Sequence, residues 1–203
     1  MKLIVLSGFL GSGKTSFLLQ LAKHLTETTG NEKMPKVAII ENEIGATSVD
    51  GKIIANRGLE IRELLAGCVC CSLSDNLMFG IEELRVTYEP DWLIIEATGM
   101  ASAAQIKDAL IPHKEWYTSL LLLVLIDAGR FLELFRSIEP MMHRQLEEID
   151  TVILNKIDLV DDETRQEVRD ILSEAQPEAS LLETVATADI PDEFWAELLG
   201  GLA

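Results

Sequence analysis

The residues that most directly suggest chemistry form a glycine-rich stretch near the N-terminus, GFLGSGKT at positions 8–15. The spacing matches the phosphate-binding pattern G-x-x-x-x-G-K-[ST]. Its glycines let backbone N–H groups converge on phosphate oxygens, its lysine supplies a positive charge, and its threonine hydroxyl can ligate Mg²⁺. The stretch therefore predicts a nucleoside triphosphate site formed by Gly8, Gly11, Ser12, Gly13, Lys14, Thr15 and Ser16.

A second motif, NKID at residues 155–158, directly follows a short apolar run. It fits the pattern N-K-x-D, in which the Asp158 carboxylate accepts hydrogen bonds from N1–H and the exocyclic amine of guanine. Adenine presents the wrong donor pattern, and a site built for hydrogen bonds strongly rejects a mismatched base. The motif predicts guanine recognition by Asn155, Lys156 and Asp158, and the alternative is an ordinary turn at a strand end.

Acidic residues end two further apolar runs. In LIIEATGM, residues 93–100, Glu96 is followed by Gly99, which permits close approach of the chain. This is where a P-loop nucleotidase places the carboxylate on its Mg²⁺ side and the group that contacts the γ-phosphate. Asp127 ends the next run and is equally compatible with a second such carboxylate and with a helix cap at the strand end.

The three cysteines of the chain, Cys68, Cys70 and Cys71, lie within four positions. A disulfide between adjacent cysteines would be strained, because neighbouring Cα atoms are ~3.8 Å apart against the usual ~4.4–6.8 Å. Three alternatives remain: packing in a core, redox chemistry through the C-x-x-C spacing of Cys68 and Cys71, and metal binding. If the segment turns at Gly67, three thiolates favour Zn²⁺, Co²⁺ or Cu⁺ over hard cations.

Oxygen ligands for such a metal are available in ENEIGATSVDG, residues 41–51. Glu41 and Glu43 are the candidates, because this segment follows a predicted strand and should reach the sheet edge that carries the phosphate loop. A solvated acidic loop is the alternative interpretation in a chain with 34 acidic residues.

Alternating strands and helices must position these motifs. Short apolar runs predict strands at residues 2–7, 36–41, 92–96, 120–127 and 151–154. One helical pattern begins near Lys14, and three others cover residues 75–88, 163–175 and 192–199. The strands lack polar alternation, so both faces of the sheet should be covered by helices. The pattern predicts an α/β fold with a mainly parallel sheet.

Composition restricts the function further. A chain of 203 residues with 48% hydrophobic residues predicts one ordered domain over positions 1–203. The net charge of −17 would repel nucleic acid and anionic membranes. The longest apolar run, residues 120–126, is far too short to span a bilayer, and no signal peptide is recognisable. Clustered cysteines in odd number favour a reducing compartment, which predicts a cytoplasmic protein.

Taken together, the motifs resemble one family, the cobalamin-synthesis-protein-like metal chaperones. These are P-loop GTPases related to the proteins that mature nickel enzymes. The resemblance rests on GFLGSGKT, ENEIG with Asp50, GCVCCSL, LIIEATGM and NKID, which span residues 8–158. It implies a doubly wound sheet of the P-loop NTPase type and a slow, Mg²⁺-dependent GTPase whose nucleotide state gates capture and release of a transition metal, Zn²⁺ or Co²⁺.

Residue roles follow from the same resemblance. Lys14 and Thr15 are expected to serve phosphate and Mg²⁺, Glu96 and Gly99 the γ-phosphate side, and Asn155 and Asp158 the base. The metal ligands would be Cys68, Cys70 and Cys71. Lys14, Glu96, Glu41 and Asp50 are the candidate catalytic residues, the last two for orienting the attacking water.

The sequence also departs from that family. Ile44 and Ala46 stand where most relatives have an aromatic residue and a glutamate, so a metal site using that extra carboxylate is not expected. Most relatives have a second C-terminal domain and often a histidine-rich run; neither is expected here, and His24, His113 and His143 are not expected to be ligands. Target recognition is then expected from the GTPase surface or from a separate effector-domain protein.

Three functions are compatible with these motifs. The first is a metallochaperone that delivers its ion to a client metalloenzyme or corrinoid protein, with a GTP-dependent homodimer as a further partner state. The second is a GTP-dependent conformational chaperone for such an enzyme that carries no ion itself. The third is a small-molecule kinase, against which Asp158 argues because it favours guanine over adenine.

Overall fold

One parallel sheet forms the centre of the fold. The computed structural model describes residues 1–27, 35–41, 59–63, 73–97 and 101–202. Seven strands within these ranges pair side by side, and each pairing is parallel. In sheet order they are β3 (Leu59–Glu63), β2 (Val37–Glu41), β4 (Trp92–Glu96), β1 (Lys2–Ser7), β5 (Ser119–Asp127), β6 (Thr151–Asn155) and β7 (Ser180–Thr184).

The central strands are apolar on both faces. In β1, four consecutive residues from Leu3 to Leu6 are fully buried. Successive side chains of a strand point to opposite faces, so Leu3 and Val5 join one core while Ile4 and Leu6 join the other. This confirms the prediction that both faces are covered.

Seven α-helices in the described ranges form the outer layers. They are α1 (Lys14–Glu27), α2 (Leu73–Thr87), α3 (Ala103–Leu110), α4 (Phe131–Ser137), α5 (Glu139–Leu146), α6 (Asp162–Ala175) and α7 (Asp192–Leu199). Buried residues of α1 and α7 belong to one core, and buried residues of the other five helices belong to the second core. The predicted α/β fold with a doubly wound parallel sheet is confirmed.

An aromatic cluster fixes α1 against α7. The ring centroid of Phe17, which is fully buried, lies 6.1 Å from that of Phe194 and 5.5 Å from that of Trp195. Burying one such side chain stabilises a fold by about 1.5–3 kcal/mol. The cluster therefore anchors the helix whose first residue, Lys14, belongs to the phosphate-loop motif.

Two strands and three helices were not predicted from the sequence: β3, β7, α3, α4 and α5. The two strands were missed because strands were predicted only from continuous apolar runs, which are typical of strands buried on both faces. The strands β3 and β7 form the two edges of the sheet, and their sequences LEIRE and SLLET mix apolar with polar residues. The predicted strands and helices all exist, with ends that differ by one or two residues.

None of the helices in the described ranges combines the length and the apolar character that crossing a bilayer requires.

A charged cluster ties the edge strand β7 to α6. Glu183 accepts hydrogen bonds from Nε and Nη2 of Arg165, and Arg169 Nε lies 3.7 Å from the same carboxylate. The hydrogen bonds from Arg165, opposed by partial burial, lower the pKa of Glu183. The charged form of Glu183 is therefore the one that stabilises the folded chain.

We expect Glu183→Gln to lower the free energy of unfolding by about 0.5–1 kcal/mol at neutral pH. A carboxyl whose pKa is lowered on folding stabilises the fold above its unfolded pKa, near 4.5, and this contribution is lost as the pH falls through the folded value. The difference between variant and wild type should therefore shrink in acid. Urea unfolding at a series of pH values between 7 and 3 measures it.

The matched control is Glu167→Gln. Glu167 is paired with Arg136 at 3.3 Å, but both side chains are largely exposed. Exposed pairs contribute little, so this variant should be close to wild type at every pH. An equal loss in the two variants would contradict the role assigned to the β7 cluster.

Candidate functional site

The carboxyl ends of the central strands surround a cavity of about 540 Å³. It lies at the edge where, in parallel sheets of this kind, ligands bind beside the strand at which the order reverses. Ligand pockets are typically about 300–1,000 Å³. The cavity is lined by Leu10, Gly11, Gly13, Lys14, Thr15, Ser16, Glu96, Asn155, Lys156, Asp158, Leu159, Ala186 and Thr187.

The phosphate loop connects β1 to α1 and contains three glycines with positive φ, two of which have no room for a side chain. Gly8 has φ 138°, and a Cβ there would lie 2.4 Å from the carbonyl oxygen of Leu125. Gly13 has φ 99°, and a Cβ there would lie 2.4 Å from Nδ2 of Asn155. Because neither distance is compatible with a side chain, the loop can approach its neighbours only with glycine at both positions.

Lys14 is the first residue of α1 and is almost completely buried. Its Nζ donates hydrogen bonds to the carbonyl oxygens of Gly8, at 3.0 Å, and Phe9, at 3.3 Å. Thr15 and Ser16 follow in the first turn of the helix and line the same cavity. The N-terminus of α1, with its partial positive charge, and the Lys14 ammonium therefore face one space suited to an anion.

Asn155, the last residue of β6, connects the phosphate loop to the loop that follows β7. Its Nδ2 donates to the carbonyl oxygen of Ser12, and its Oδ1 accepts from the N–H of Ala186, both at 2.8 Å. The side chain is 2% exposed. Sequence reasoning assigned Asn155 to the base, whereas the structure also places it in contact with the backbone on two sides of the cavity.

Lys156 has a left-handed backbone conformation, with φ 61° and ψ 35°. Its Nζ donates to the carbonyl oxygen of Gly11, at 2.6 Å, and to Oδ2 of Asp127, at 2.7 Å. The other oxygen of Asp127 accepts from the N–H groups of Gly129 and Arg130. Asp127 therefore fixes the turn between β5 and α4.

Asp158 lies in a short 3₁₀ turn, residues 157–159, directly after Lys156. Its side chain is exposed and lines the cavity. Leu159 beside it is 70% exposed, which is unusual for a leucine and places an apolar surface at the same end of the cavity. This end can present both a carboxylate and an apolar contact to a planar ligand.

Two glutamates lie side by side at the ends of adjacent strands. Glu96, the last residue of β4, is 7% exposed and lines the cavity. In the strand pairing its Cα partner is Glu41, the last residue of β2. Paired residues on neighbouring parallel strands lie ~4.8 Å apart and point to the same face. Glu41 is therefore next to the cavity, although it does not line it.

The structure brings most of the predicted nucleotide residues together. Gly8 and Ser12 belong to the loop without lining the cavity, and the other described members line it. The remaining predicted residues lie outside the described residues: Glu43, Asp50, Cys68, Cys70, Cys71 and Gly99. In the part of the chain that is described, no three His, Cys, Asp or Glu side chains are grouped closely enough to bind a metal ion.

Sequence reasoning missed the contribution of Ala186 and Thr187, which line the cavity from the loop after β7. The carboxyl ends of parallel strands meet at one edge, so any residue just after a strand is a candidate. This signal was not usable because β7 itself was not predicted from its five-residue sequence.

Comparisons with known proteins agree with this geometry. A family model described as the CobW/HypB/UreG nucleotide-binding domain matches residues 2–183. The zinc chaperone YeiR of Escherichia coli is 32% identical over 164 residues, which are 80% of this chain and 48% of YeiR. The zinc chaperone YjiA of the same organism is 34% identical over 163 residues, which are 76% of this chain and 49% of YjiA.

The fold is also that of a solved relative. The crystal structure of the Zn(II)-bound YjiA GTPase from E. coli superimposes with a TM-score of 0.64 at 26% identity, covering 96% of this chain and 60% of that chain. The chain spans about half the length of the curated relatives YeiR and YjiA. Since the family match extends over most of the sequence and includes the whole phosphate loop, the chain belongs to the CobW/HypB/UreG family through its nucleotide-binding domain.

Proposed function

We propose that this chain binds and hydrolyses GTP and that its nucleotide state controls the capture of a transition metal and its delivery to a client protein. The observation that carries the proposal is that the phosphate loop, Glu96 and the NKID turn line one and the same cavity. Zn²⁺ is the first choice of metal, because the relatives YeiR and YjiA are named zinc chaperones. Co²⁺ is the alternative cargo that the cysteines favour on chemical grounds.

The nucleotide would lie with its phosphates at the N-terminus of α1 and its base at the NKID turn. Lys14 and the N–H groups of the loop supply positive charge at one end of the cavity. Asp158 supplies a carboxylate at the other end, where it would accept both hydrogen bonds from guanine. Asn155 and Lys156 contact the phosphate loop directly, so base binding and phosphate binding depend on the same residues.

The residues present also fit Mg²⁺. Thr15 and Glu96 line the same cavity and offer a hydroxyl and a carboxylate, the oxygen ligands that Mg²⁺ prefers. When bound, Mg²⁺ would neutralise charge on the β- and γ-phosphates.

Hydrolysis requires water to attack the γ-phosphorus while the bond to the bridging oxygen breaks, which leaves GDP and inorganic phosphate. Lys14 would stabilise the negative charge that develops on the oxygens. Glu41 and Asp50 are the proposed groups for orienting the water. Glu41 is suited to this role because its strand position is directly beside Glu96.

The proposed metal ligands are Cys68, Cys70 and Cys71 with Glu41 and Glu43. Glu41 connects this set to the nucleotide, since its Cα partner in the sheet is Glu96 at the phosphate end of the cavity. A change at the γ-phosphate can therefore alter the surroundings of a metal ligand one strand away. Coupling between two such sites typically amounts to about 1–3 kcal/mol.

The proposed partners are a client metalloenzyme or corrinoid protein and a separate effector-domain protein, with a GTP-dependent homodimer as a further state. Cysteine ligands must stay reduced, which favours the cytoplasm as the place of action.

Metal affinity is expected to depend on the nucleotide. Because the coupling is about 1–3 kcal/mol, Zn²⁺ should bind with an affinity that differs by about 5–150-fold between protein loaded with a non-hydrolysable GTP analogue and protein loaded with GDP. Competition with a chromophoric chelator measures both values, and Co²⁺ can be titrated in parallel through its absorption spectrum.

The double variant Cys70→Ala, Cys71→Ala should lose tight metal binding in both nucleotide states. His143→Ala serves as the control, since His143 is a half-exposed residue on α5 near Glu139 and is not a proposed ligand. Unchanged metal affinity in the double variant would contradict the metal role. A metal affinity that is the same with the GTP analogue and with GDP would favour a conformational chaperone that carries no ion.

A further inference from the structure

We infer that Gln20 is a positioning residue for base recognition, because its side-chain amide fixes the loop after β7 at the base end of the nucleotide cavity. The inference rests on the proposed function, since it concerns how the chain would discriminate guanine. Gln20 lies on α1 and does not line the cavity itself.

The contact is made by one nitrogen and two carbonyl groups. Nε2 of Gln20 donates to the carbonyl oxygen of Ala186 at 2.8 Å and also to the carbonyl oxygen of Ala188. These residues are 166 and 168 positions away in the sequence. The bonds therefore connect the helix that begins at the phosphate loop to a loop at the far edge of the sheet.

The loop itself is a tight turn with few other attachments. The N–H of Ala188 donates to the carbonyl oxygen of Val185 at 2.8 Å, which closes the turn. Ala186 is buried, whereas Thr187 and Ala188 are exposed, so packing does little to fix the tip. Ala186 and Thr187 are the two residues of this turn that line the cavity.

Ala186 is bonded to side chains through both of its polar backbone groups. Its N–H donates to Oδ1 of Asn155, and its carbonyl oxygen accepts from Gln20. Asn155 ends β6 and Gln20 lies on α1, so the two bonds reach the turn from different elements. With only one of them, the peptide could rotate about the remaining bond, and the base end of the cavity would lose its fixed shape.

Glutamine suits this position because of the number of hydrogen-bond donors on its side chain. A side-chain amide carries two N–H donors on one nitrogen, which matches two carbonyl oxygens. Glutamate of the same size offers only acceptors when ionised, and leucine offers no polar group. Lysine, with three N–H donors and a longer stem, can replace the amide in this contact.

The test compares GDP and ADP, which share their phosphates and differ in the base. Gln20→Leu should weaken GDP binding by about tenfold, because two carbonyl groups lose their donor and the turn moves. ADP affinity should stay unchanged, because α1 and the phosphate loop are intact. Gln20→Lys should restore most of the GDP affinity. Competition against a fluorescent guanine nucleotide gives the GDP and ADP dissociation constants of wild type and both variants.

The matched control is Gln166→Leu on α6, where the amide is exposed and bonded only to Asp170 within the same helix. It should leave both affinities at the wild-type value. Equal losses of GDP and ADP binding in Gln20→Leu would show a general structural role and overturn the inference, as would full retention of GDP binding. Wild-type protein without any preference for GDP over ADP would instead overturn the proposed function, and this inference with it.

Discussion

Replacing Asp158 by asparagine is expected to lower the affinity for GTP on the order of 10³-fold and to raise the affinity for xanthosine triphosphate. The carboxylate accepts from two donors of guanine, N1–H and the exocyclic amine. Asparagine offers one acceptor and one donor, so it mismatches guanine but matches xanthine, which has a carbonyl in place of the amine. Affinities for both nucleotides, measured by competition, test the exchange of specificity.

The position of Asp158 allows nucleotide specificity to be changed without a change in stability. The side chain is exposed at the cavity, so the substitution should leave the free energy of unfolding nearly unchanged. The control is Asp161→Asn, at the carboxylate that caps α6 through the N–H of Thr164. Asp161 does not line the cavity, and Asp161→Asn should keep the preference for GTP. If Asp158→Asn still preferred GTP to xanthosine triphosphate, the assignment of Asp158 to guanine recognition would be wrong.

Asn155→Ala is expected to damage both stability and nucleotide binding. The side chain is buried, and its removal leaves the carbonyl of Ser12 and the N–H of Ala186 without their side-chain partner. Each buried group left in this way costs about 1–3 kcal/mol. The free energy of unfolding should therefore fall by about 2–6 kcal/mol, which denaturant unfolding measures.

Nucleotide affinity should fall in the same variant, because both loops that meet at Asn155 also border the cavity. Gln145→Ala separates the two effects. Gln145 is equally buried and donates to the carbonyl oxygen of Ala101 at 3.1 Å, and neither residue lines the cavity. It should lose stability and keep GTP affinity at sub-denaturing temperature. A loss of affinity in Gln145→Ala as large as that in Asn155→Ala would show that stability alone determines binding.

The motifs predicted the parts of the site that are local in sequence. GFLGSGKT and NKID each carry their geometry within a few residues, and both apolar runs that precede them are buried strands. The position of Glu96 was predictable for the same reason, since it ends such a run. These signals work because a buried parallel strand has a simple composition and its carboxyl end points to the ligand edge.

The contacts between the motifs were not predictable. Lys156 bonds to Gly11 across 145 positions, and Gln20 bonds to Ala186 across 166 positions. No local pattern encodes such pairs, because they depend on the order of strands in the sheet. The edge strand β7 completes that order, and its short mixed sequence does not distinguish it from a loop. The surrounding fold, more than its own propensity, decides its structure.

The length of the Asn155 side chain holds the phosphate loop and the turn after β7 at a fixed separation. The amide contacts the phosphate loop on one side and the turn after β7 on the other, and both contacts are 2.8 Å long. One additional methylene, as in glutamine, would extend the side chain by about 1.5 Å and force the two loops apart or break one of the two hydrogen bonds. The separation of the two loops therefore depends on the length of this side chain, while the bond from Gln20 to Ala186 holds the turn after β7 from a second side, and a redesign for a larger or smaller ligand would begin at these two residues.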